Sequence, residues 1–242
     1  MAVERLGGLP RPHQFTVEEY LAFEERSEFK HEFIDGVIYD WGDPHPKAPV
    51  HPDFVPGRPM PHLFTVAEYL AFEAESEFKH EFIDGIIYDM TGGAFHHSRI
   101  KVNITVEFDN QLRDSDYAVC NSDMSVRVGE SRYVYPDLSV VRGQPQLEYN
   151  DTTLLNPVLA VEVTSPASFD YDRVKKRSFY SAIASLQAYL VIDQHRVHVE
   201  LYTRREDGWL WQTFDSMEDI ARLQDLGCEL ALAAIYRSIS FP

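Results

Sequence analysis

Two acidic residues interrupt apolar, β-branched stretches of this sequence and could do chemistry together. Asp137 lies in YVYPDLSVV and Glu162 lies in VLAVEVTS, and both stretches have the composition of β-strands. Successive side chains of a strand point to opposite faces, so each acid occupies the less apolar face of its strand, with Ser139 beside Asp137 and Thr164 beside Glu162.

Asp and Glu are almost never buried without a partner, and two carboxylates held close together repel each other. A divalent cation relieves that repulsion, and a set of oxygen ligands suits Mg²⁺ or Mn²⁺ better than zinc. The alternative is an edge or solvent face on which both acids are hydrated. The pair therefore indicates a magnesium or manganese site, which we take as the leading hypothesis.

A basic cluster follows the second acid. The segment DYDRVKKRSFYSAIA has a helical pattern and contains Arg173, Lys175, Lys176 and Arg177. The net charge of the chain is -17, but residues 98–205 carry 13 Lys/Arg and 14 Asp/Glu. The acidity is thus concentrated elsewhere, and this cluster is either a local basic patch for a phosphate backbone or an ordinary solvated helix face.

The elements that must position these side chains are readable from residue 61 onward. Thr65, with Glu68 three residues later, predicts the start of a helix over VAEYLAFEAE, and Asp84-Gly85 predicts a hairpin in HEFIDGIIYDM. Further segments follow in chain order: a helix over HHSRIKVNITVEFDNQLRD, strands over AVCNSDMSVRV, YVYPDLSVV and VLAVEVTS, the basic helix, strands over AYLVID, HVELYTR and GWLWQTF, and an ambiguous GCELALAAIY.

The connections between these elements predict the topology. The link between YVYPDLSVV and VLAVEVTS lacks a helical pattern, so these strands should be antiparallel neighbours. The basic helix between VLAVEVTS and AYLVID can form a right-handed crossover to a parallel partner. The fold class expected is α/β, a mixed β-sheet flanked by helices.

An internal repeat precedes this domain. Residues 12–40 recur at 61–89, with 24 of 29 residues identical. A solenoid needs about three or more units, and this chain has two copies that are followed by unrelated sequences. The repeat therefore indicates that the first segment of the domain was duplicated. We expect residues 1–60 to be the additional copy plus a Pro-rich linker. Residues 61–242 should be the functional domain, which should fold without the first copy. The first copy should pack peripherally or against a partner subunit.

Composition limits the cellular setting. Cys120 and Cys228 are the two cysteines, without CxxC spacing, which favours reduced thiols over a disulfide framework or a zinc site. No stretch approaches the ~18 apolar residues of a membrane span, and the N-terminus lacks an apolar signal-peptide core. We expect a cytoplasmic protein without a membrane partner.

Six segments, taken in order, resemble a known family. They are EYLAFEAESEFKHEFIDGIIYDM, HSRI from His97, YPDLSVV, VEVTSP, YDRVKKRSFY and AYLVID. Together they resemble the Uma-two family of restriction endonucleases, part of the PD-(D/E)xK nuclease superfamily, over about residues 61–242. The resemblance implies a restriction-endonuclease-like fold and a Mg²⁺- or Mn²⁺-dependent nuclease.

The resemblance also implies a set of site residues. Glu81, Asp137 and Glu162 would be the acidic metal cluster, Lys176 the catalytic amine, and Tyr180 an accompanying side chain. His97 matches a family position and would contact phosphate or the acids, with a purely structural helix-start role as the alternative.

The sequence departs from the superfamily at one position. Thr164 stands two residues after Glu162, where the motif lysine is expected. Helical periodicity does not choose between Lys175 and Lys176 as its replacement, whereas the resemblance favours Lys176.

The function expected is a divalent-metal-dependent endonuclease (a hydrolase) that cleaves DNA. One rival is a catalytically inactive nuclease-fold protein that acts in binding or assembly, which the missing lysine supports. Another is a metal-dependent hydrolase of small phosphate esters. The near-identical copies also allow a homodimer that exchanges them.

Overall fold

A computed structural model describes residues 11–40, 60–90, 93–164 and 171–241. These residues form two compact units. Of the described residues, the repeat unit contains 11–40, 60–90 and 130–134, and the sheet unit contains 93–129, 135–164 and 171–241. The expected proline-rich linker lies outside the described residues. The domain boundary expected after residue 60 stays a prediction, namely that residues 61–242 fold without residues 1–60.

The described helices, with one π-helical and one 3₁₀ turn, are α1 Val17–Arg26, α2 Val66–Glu75, α3 Phe95–Leu112, the π turn Tyr171–Lys176, α4 Arg177–Ser181, the 3₁₀ turn Gln224–Leu226 and α5 Leu232–Ile235. The described strands are β1 His31–Ile34, β2 Val37–Asp40, β3 Met60–Pro61, β4 His80–Ile83, β5 Ile86–Asp89, β6 Tyr117–Asn121, β7 Ser125–Arg127, β8 Arg132–Val134, β9 Leu138–Arg142, β10 Leu147–Glu148, β11 Thr153–Leu154, β12 Pro157–Thr164, β13 Ala188–Asp193, β14 Val199–Arg205, β15 Gly208–Phe214, β16 Ile220–Leu223 and β17 Cys228–Ala231.

Each repeat copy folds into one helix followed by one hairpin. The predicted capping box is present, with Thr65 Oγ1 accepting from the backbone N–H of Glu68 at 3.2 Å and the Glu68 carboxylate accepting from that of Thr65 at 2.7 Å. The predicted hairpin also forms, with β4 antiparallel to β5. Asp84 and Gly85 both have positive φ, 50° and 92°, as the tight turn requires.

The two copies exchange their first residues. Pro12, at the start of the first copy, bridges to Tyr88 in the hairpin of the second copy. Reciprocally, β3 at the start of the second copy pairs with β2 of the first. The backbone N–H of His13 donates to Ile87 O and that of His62 to Ile38 O, both at 2.8 Å. The first copy therefore packs against the second within one chain.

Apolar side chains of both copies close the core of the repeat unit. The buried members are Phe15, Ile38, Phe64, Tyr69, Phe82 and Ile87 from the copies and Tyr133 from β8. Phe15 and Phe64 occupy equivalent positions and stack with ring centroids 5.1 Å apart. Neither hairpin alone would bury a stable core, and together the copies supply one.

The sheet unit contains the predicted mixed sheet, in the order β15-β14-β13-β12-β9-β6. Strands β9 and β12 are antiparallel neighbours, and β12 is parallel to β13, as the link and the helical crossover predicted. β13, β14 and β15 continue as antiparallel neighbours. Helix α3 packs Ile100, Ile104 and Phe108 into the core with residues of β9 and β12.

Two predicted strands are divided, and one segment that the sequence left ambiguous takes a definite structure. YVYPDLSVV is two strands rather than one, because Pro136 has no N–H for the ladder and β9 begins only at Leu138. AVCNSDMSVRV also divides, where Asn121 Oδ1 accepts from the backbone N–H of Asp123 at 2.9 Å and turns the chain. The ambiguous GCELALAAIY becomes β17 followed by the short α5.

Among the described residues, no helix is both long enough and apolar enough to cross a membrane.

Candidate active site

Asp137 immediately precedes β9 and is almost fully buried. Residues Leu138 and Val161 are register partners in the antiparallel β9–β12 pair, so continuing that register by one residue places Asp137 opposite Glu162. Opposed residues of adjacent strands have neighbouring side chains on one face. The backbone N–H of Val163 donates to Asp137 Oδ2 at 2.7 Å and holds the carboxylate against β12.

Two side chains of helix α3 approach the same carboxylate. His97 Nε2 lies 3.2 Å from Asp137 Oδ2, and Lys101 Nζ lies 3.0 Å from Asp137 Oδ1. Burial would raise the pKa of Asp137, but the contacts with His97, Lys101 and the Val163 N–H outweigh it and lower the pKa. Asp137 is therefore held in its anionic form.

The position of His97 depends on a glycine. A Cβ placed on Gly93 would lie 2.3 Å from His97 Nδ1, far inside van der Waals contact. A side chain at residue 93 would therefore require the imidazole or the chain before α3 to shift.

Glu162, in the middle of the buried strand β12, has two donors from the basic segment. Lys176 Nζ donates to Glu162 Oε1 at 3.1 Å, and Tyr180 Oη donates to the same oxygen at 2.9 Å. Lys176 Nζ also lies 3.8 Å from Asp172 Oδ1. Glu162, Asp172 and Lys176 are all buried, so this carboxylate is not the hydrated edge acid of the alternative interpretation.

Lys176 is the buried lysine of the basic segment, whereas Lys175 is exposed. Residues Tyr171–Lys176 form a π-helical turn before the α-helical residues Arg177–Ser181. α-Helical periodicity left the choice between the two lysines open because each has an aromatic residue four positions later, Phe179 after Lys175 and Tyr180 after Lys176. Tyr189 Oη donates to the backbone carbonyl of Asp172 at 3.0 Å and ties the turn to β13.

The remaining basic side chains do not form a simple solvated face. Arg173 Nε lies 3.0 Å from the buried Glu200, and its guanidinium lies over the ring of Trp211. The guanidinium of Arg177 lies over Tyr202, which also donates a hydrogen bond to Glu200. Burial and the neighbouring Glu200 raise the pKa of Tyr202 to about 12, so its hydroxyl stays protonated.

The structure thus brings Lys176 and Tyr180 to Glu162, and His97 to Asp137. Glu81 belongs to the repeat unit, where it is buried within β4. Sequence reasoning missed Lys101 and Asp172.

Both missed residues left a signal in the sequence. Lys101 follows His97 by four residues and Asp172 precedes Lys176 by four, the spacing that places two side chains on one helix face.

The donor set fits a hard divalent cation. Asp137 and Glu162 are both buried, at positions that the continued β9–β12 register opposes, and carboxylate oxygens are the ligands of Mg²⁺ and Mn²⁺. Thr164 Oγ1 is also buried, on the strand face of Glu162, and no described group hydrogen-bonds to it. A polar oxygen in that position is suited to a water or a ligand at the site.

Comparison with a solved structure defines the class of fold. The chain is similar to the crystal structure of a nuclease described as putative and as belonging to DUF820, from Anabaena variabilis. The TM-score is 0.59 at 18% identity, over 71% of this chain and 97% of that one. The chain therefore shares the mixed α/β fold of that protein.

Sequence comparison identifies the family. The Uma2 family, described as "Putative restriction endonuclease", matches residues 66–234, and the chain belongs to this family. Two proteins of Synechocystis sp., both described as uncharacterized, are similar. Protein slr1290 is 36% identical over 230 residues, 94% of each chain, and sll1609 is 36% identical over 124 residues, 50% of this chain and 70% of that one.

Proposed function

We propose that this protein is an endonuclease that hydrolyses DNA phosphodiester bonds with Mg²⁺ or Mn²⁺. The observation that carries the proposal is the pair of buried acids, Asp137 and Glu162, opposed across β9 and β12 with Lys176 bonded to Glu162. A buried lysine beside two buried carboxylates is a costly arrangement for stability alone. Such arrangements concentrate at functional sites.

In this proposal the carboxylates of Asp137 and Glu162 hold the metal ion, with Glu81 as a further acid. A Mg²⁺ ion held by these residues would supply Lewis-acid chemistry, which would polarise the phosphate and lower the pKa of an attacking water. The chain provides the rest of the arrangement. The Val163 N–H and His97 orient the carboxylate of Asp137, and Tyr180 orients that of Glu162.

Lys176 is proposed as the catalytic amine in place of the lysine that Thr164 replaces. Its Nζ is held between Glu162 and Asp172, so its position is set before substrate binds. From there the ammonium group orients water or offsets the negative charge that develops on phosphate. Tyr180 and His97 are positioning residues.

The rival function is a catalytically inactive nuclease fold that binds DNA or another partner. One observation favours it: the Lys101 ammonium lies 3.0 Å from Asp137 and offsets the charge of its carboxylate. We also propose a cytoplasmic location, which the free thiols of Cys120 and Cys228 support because disulfides are rare in that compartment.

Cleavage of supercoiled plasmid DNA in Mg²⁺ or Mn²⁺ tests the proposal. Wild-type protein should nick the plasmid, and EDTA, Asp137→Asn or Glu162→Gln should abolish nicking. Asp109→Asn, an exposed acid on α3, is the matched control and should retain full activity. Activity of Glu162→Gln equal to wild type would refute the mechanism, and no cleavage together with intact DNA binding would favour the rival.

A further inference from the structure

The repeat unit contains two matching clusters of histidine and aspartate. In the first, His13 Nδ1 lies 2.6 Å from Asp89 Oδ1, and His80 Nε2 lies 3.8 Å from the same oxygen. The ligand atoms of these three residues all lie within 4.8 Å of one another. The exchange of chain ends creates this cluster, because His13 comes from the first copy and the other two residues from the second.

The second cluster repeats the first with the copies reversed. His62 Nδ1 lies 2.6 Å from Asp40 Oδ1, and His31 Nε2 lies 3.5 Å from it. The same ring nitrogens face aspartate in both clusters. Its ligand atoms also lie within 4.8 Å of one another.

Each histidine has a second carboxylate on its other ring nitrogen. In the first cluster, His13 Nε2 lies 3.3 Å from Glu19 and His80 Nδ1 lies 2.9 Å from Glu73. Histidines that bind metals characteristically have a carboxylate or carbonyl in that position, because it fixes the tautomer and orients the ring.

The second cluster has the equivalent glutamates. Glu68 lies 3.5 Å from His62 Nε2, and Glu24 lies 2.8 Å from His31 Nδ1. Helices α1 and α2 thus supply an outer acid to every histidine of the two clusters.

We propose that these clusters are two sites for a divalent transition-metal ion, Zn²⁺ or one of similar ligand preference. One site has the ligands His13, His80 and Asp89, and the other has His62, His31 and Asp40. Imidazole and carboxylate ligands bind zinc at about 2.0–2.2 Å, which places ligand atoms ~3.4 Å apart in a tetrahedron. The 2.6 Å contacts therefore have to open by less than ~1 Å on binding.

Solvent reaches the first site more readily than the second. Asp89 is 43% exposed, whereas Asp40 is 18% exposed. The four histidine side chains are largely buried, so their rings are already ordered. Each metal ion would bridge the two copies, and its role would be to hold the exchanged ends in place.

A metal-free explanation of the clusters also exists. Burial would lower the pKa of His62, but hydrogen bonding and attraction from Asp40 and Glu68 raise it to about 9. In that explanation protonated histidine simply bridges carboxylates. Metal analysis separates the two explanations, and its outcome does not depend on the proposed nuclease activity.

The test is Zn²⁺ titration of the full-length chain after dialysis against EDTA, with excess Mg²⁺ present to occupy oxygen-only sites. We expect two Zn²⁺ per chain by calorimetry and by elemental analysis. His13→Ala and His62→Ala should each bind one, and the double variant none. His195→Ala, an exposed histidine of the sheet unit, is the control and should still bind two.

Two further measurements guard against misfolded variants. Glu73→Gln changes only an outer carboxylate, and we expect it to weaken one of the two zinc sites about 10- to 100-fold. Co²⁺ in the wild-type protein should give the intense visible absorption of a four-coordinate site. Wild-type protein that binds no Zn²⁺, or whose zinc content is unchanged in the folded double variant, would overturn the proposal.

Discussion

Arg26 and Glu75 occupy the same position in the two repeat copies, and they bind each other: Arg26 Nη1 lies 2.7 Å from Glu75 Oε1. Equivalent residues can meet only near an axis that exchanges the copies. The stacking of Phe15 on Phe64 places a second equivalent pair there. Two identical charged residues at this position would repel each other. The two copies differ here, with arginine in one and glutamate in the other, although 24 of their 29 positions are identical.

We predict that a chain beginning at residue 60 forms a homodimer. Without the first copy, strand β3 has no hairpin to pair with and β5 loses its bridge to Pro12. Two such chains can supply these contacts to each other, at a cost set by concentration because the exchange is no longer intramolecular. Light scattering during size-exclusion chromatography should show a dimer, whereas the full-length chain should be a monomer.

The contact between Arg26 and Glu75 near the axis provides a control for this dimer. Both protomers of the truncated chain carry Glu75, so two carboxylates would meet where Arg26 and Glu75 now pair. Glu75→Gln should therefore strengthen the truncated dimer, by a few tenths of a kcal/mol for an exposed pair. A truncated monomer with the stability of the full-length chain would instead support the simple boundary at residue 60.

Lys176→Met should abolish DNA cleavage and lower stability, whereas Lys175→Met should do neither. Lys176 is the buried partner of Glu162, and removing one partner of a buried ion pair costs about 3–5 kcal/mol. Urea unfolding measures the loss. Adding Glu162→Gln to Lys176→Met should recover much of the stability and none of the activity, and recovery of activity would exclude Lys176 as the catalytic amine.

Gly93→Ala should displace His97 from Asp137. The added methyl would lie 2.3 Å from the imidazole, so either the ring or the chain has to move. Overpacking of this kind typically costs about 1–3 kcal/mol. The free energy of unfolding should fall for Gly93→Ala but change little when the same substitution is made in His97→Ala, because the colliding ring is then absent. Equal losses in both backgrounds would contradict this contact.

Arg173→Gln and Arg177→Gln should weaken DNA binding and flatten its salt dependence without abolishing turnover, because backbone binding releases counterions. Arg173→Gln should also lower stability, by about 1–3 kcal/mol, since Glu200 would lose a charged partner while buried. Arg113→Gln, at the exposed residue that caps the C-terminal end of α3, is the control. Binding that is unchanged in both variants would exclude this segment as the DNA contact.

The sequence by itself determined the features that follow from short-range rules. Thr65 with Glu68 specified a helix start, and Asp84-Gly85 specified a tight hairpin, because each depends on residues within one turn. The order of helices and strands also determined that β12 lies between antiparallel β9 and parallel β13. From that order and the alternation of faces, Asp137 and Glu162 could be expected on adjacent strands.

Only the tertiary structure decided which equivalent partner each segment takes. The two copies are nearly identical, so their local preferences allow either pairing, and the path of the chain places His13 beside Asp89 and His62 beside Asp40. The choice of Lys176 over Lys175 was likewise beyond periodicity, because it depends on the hydrogen bond from Lys176 to Glu162 in another element. Contacts between distant segments decide both the pairing of the two copies and the choice of lysine. Interactions between residues close in sequence favour neither alternative in either case.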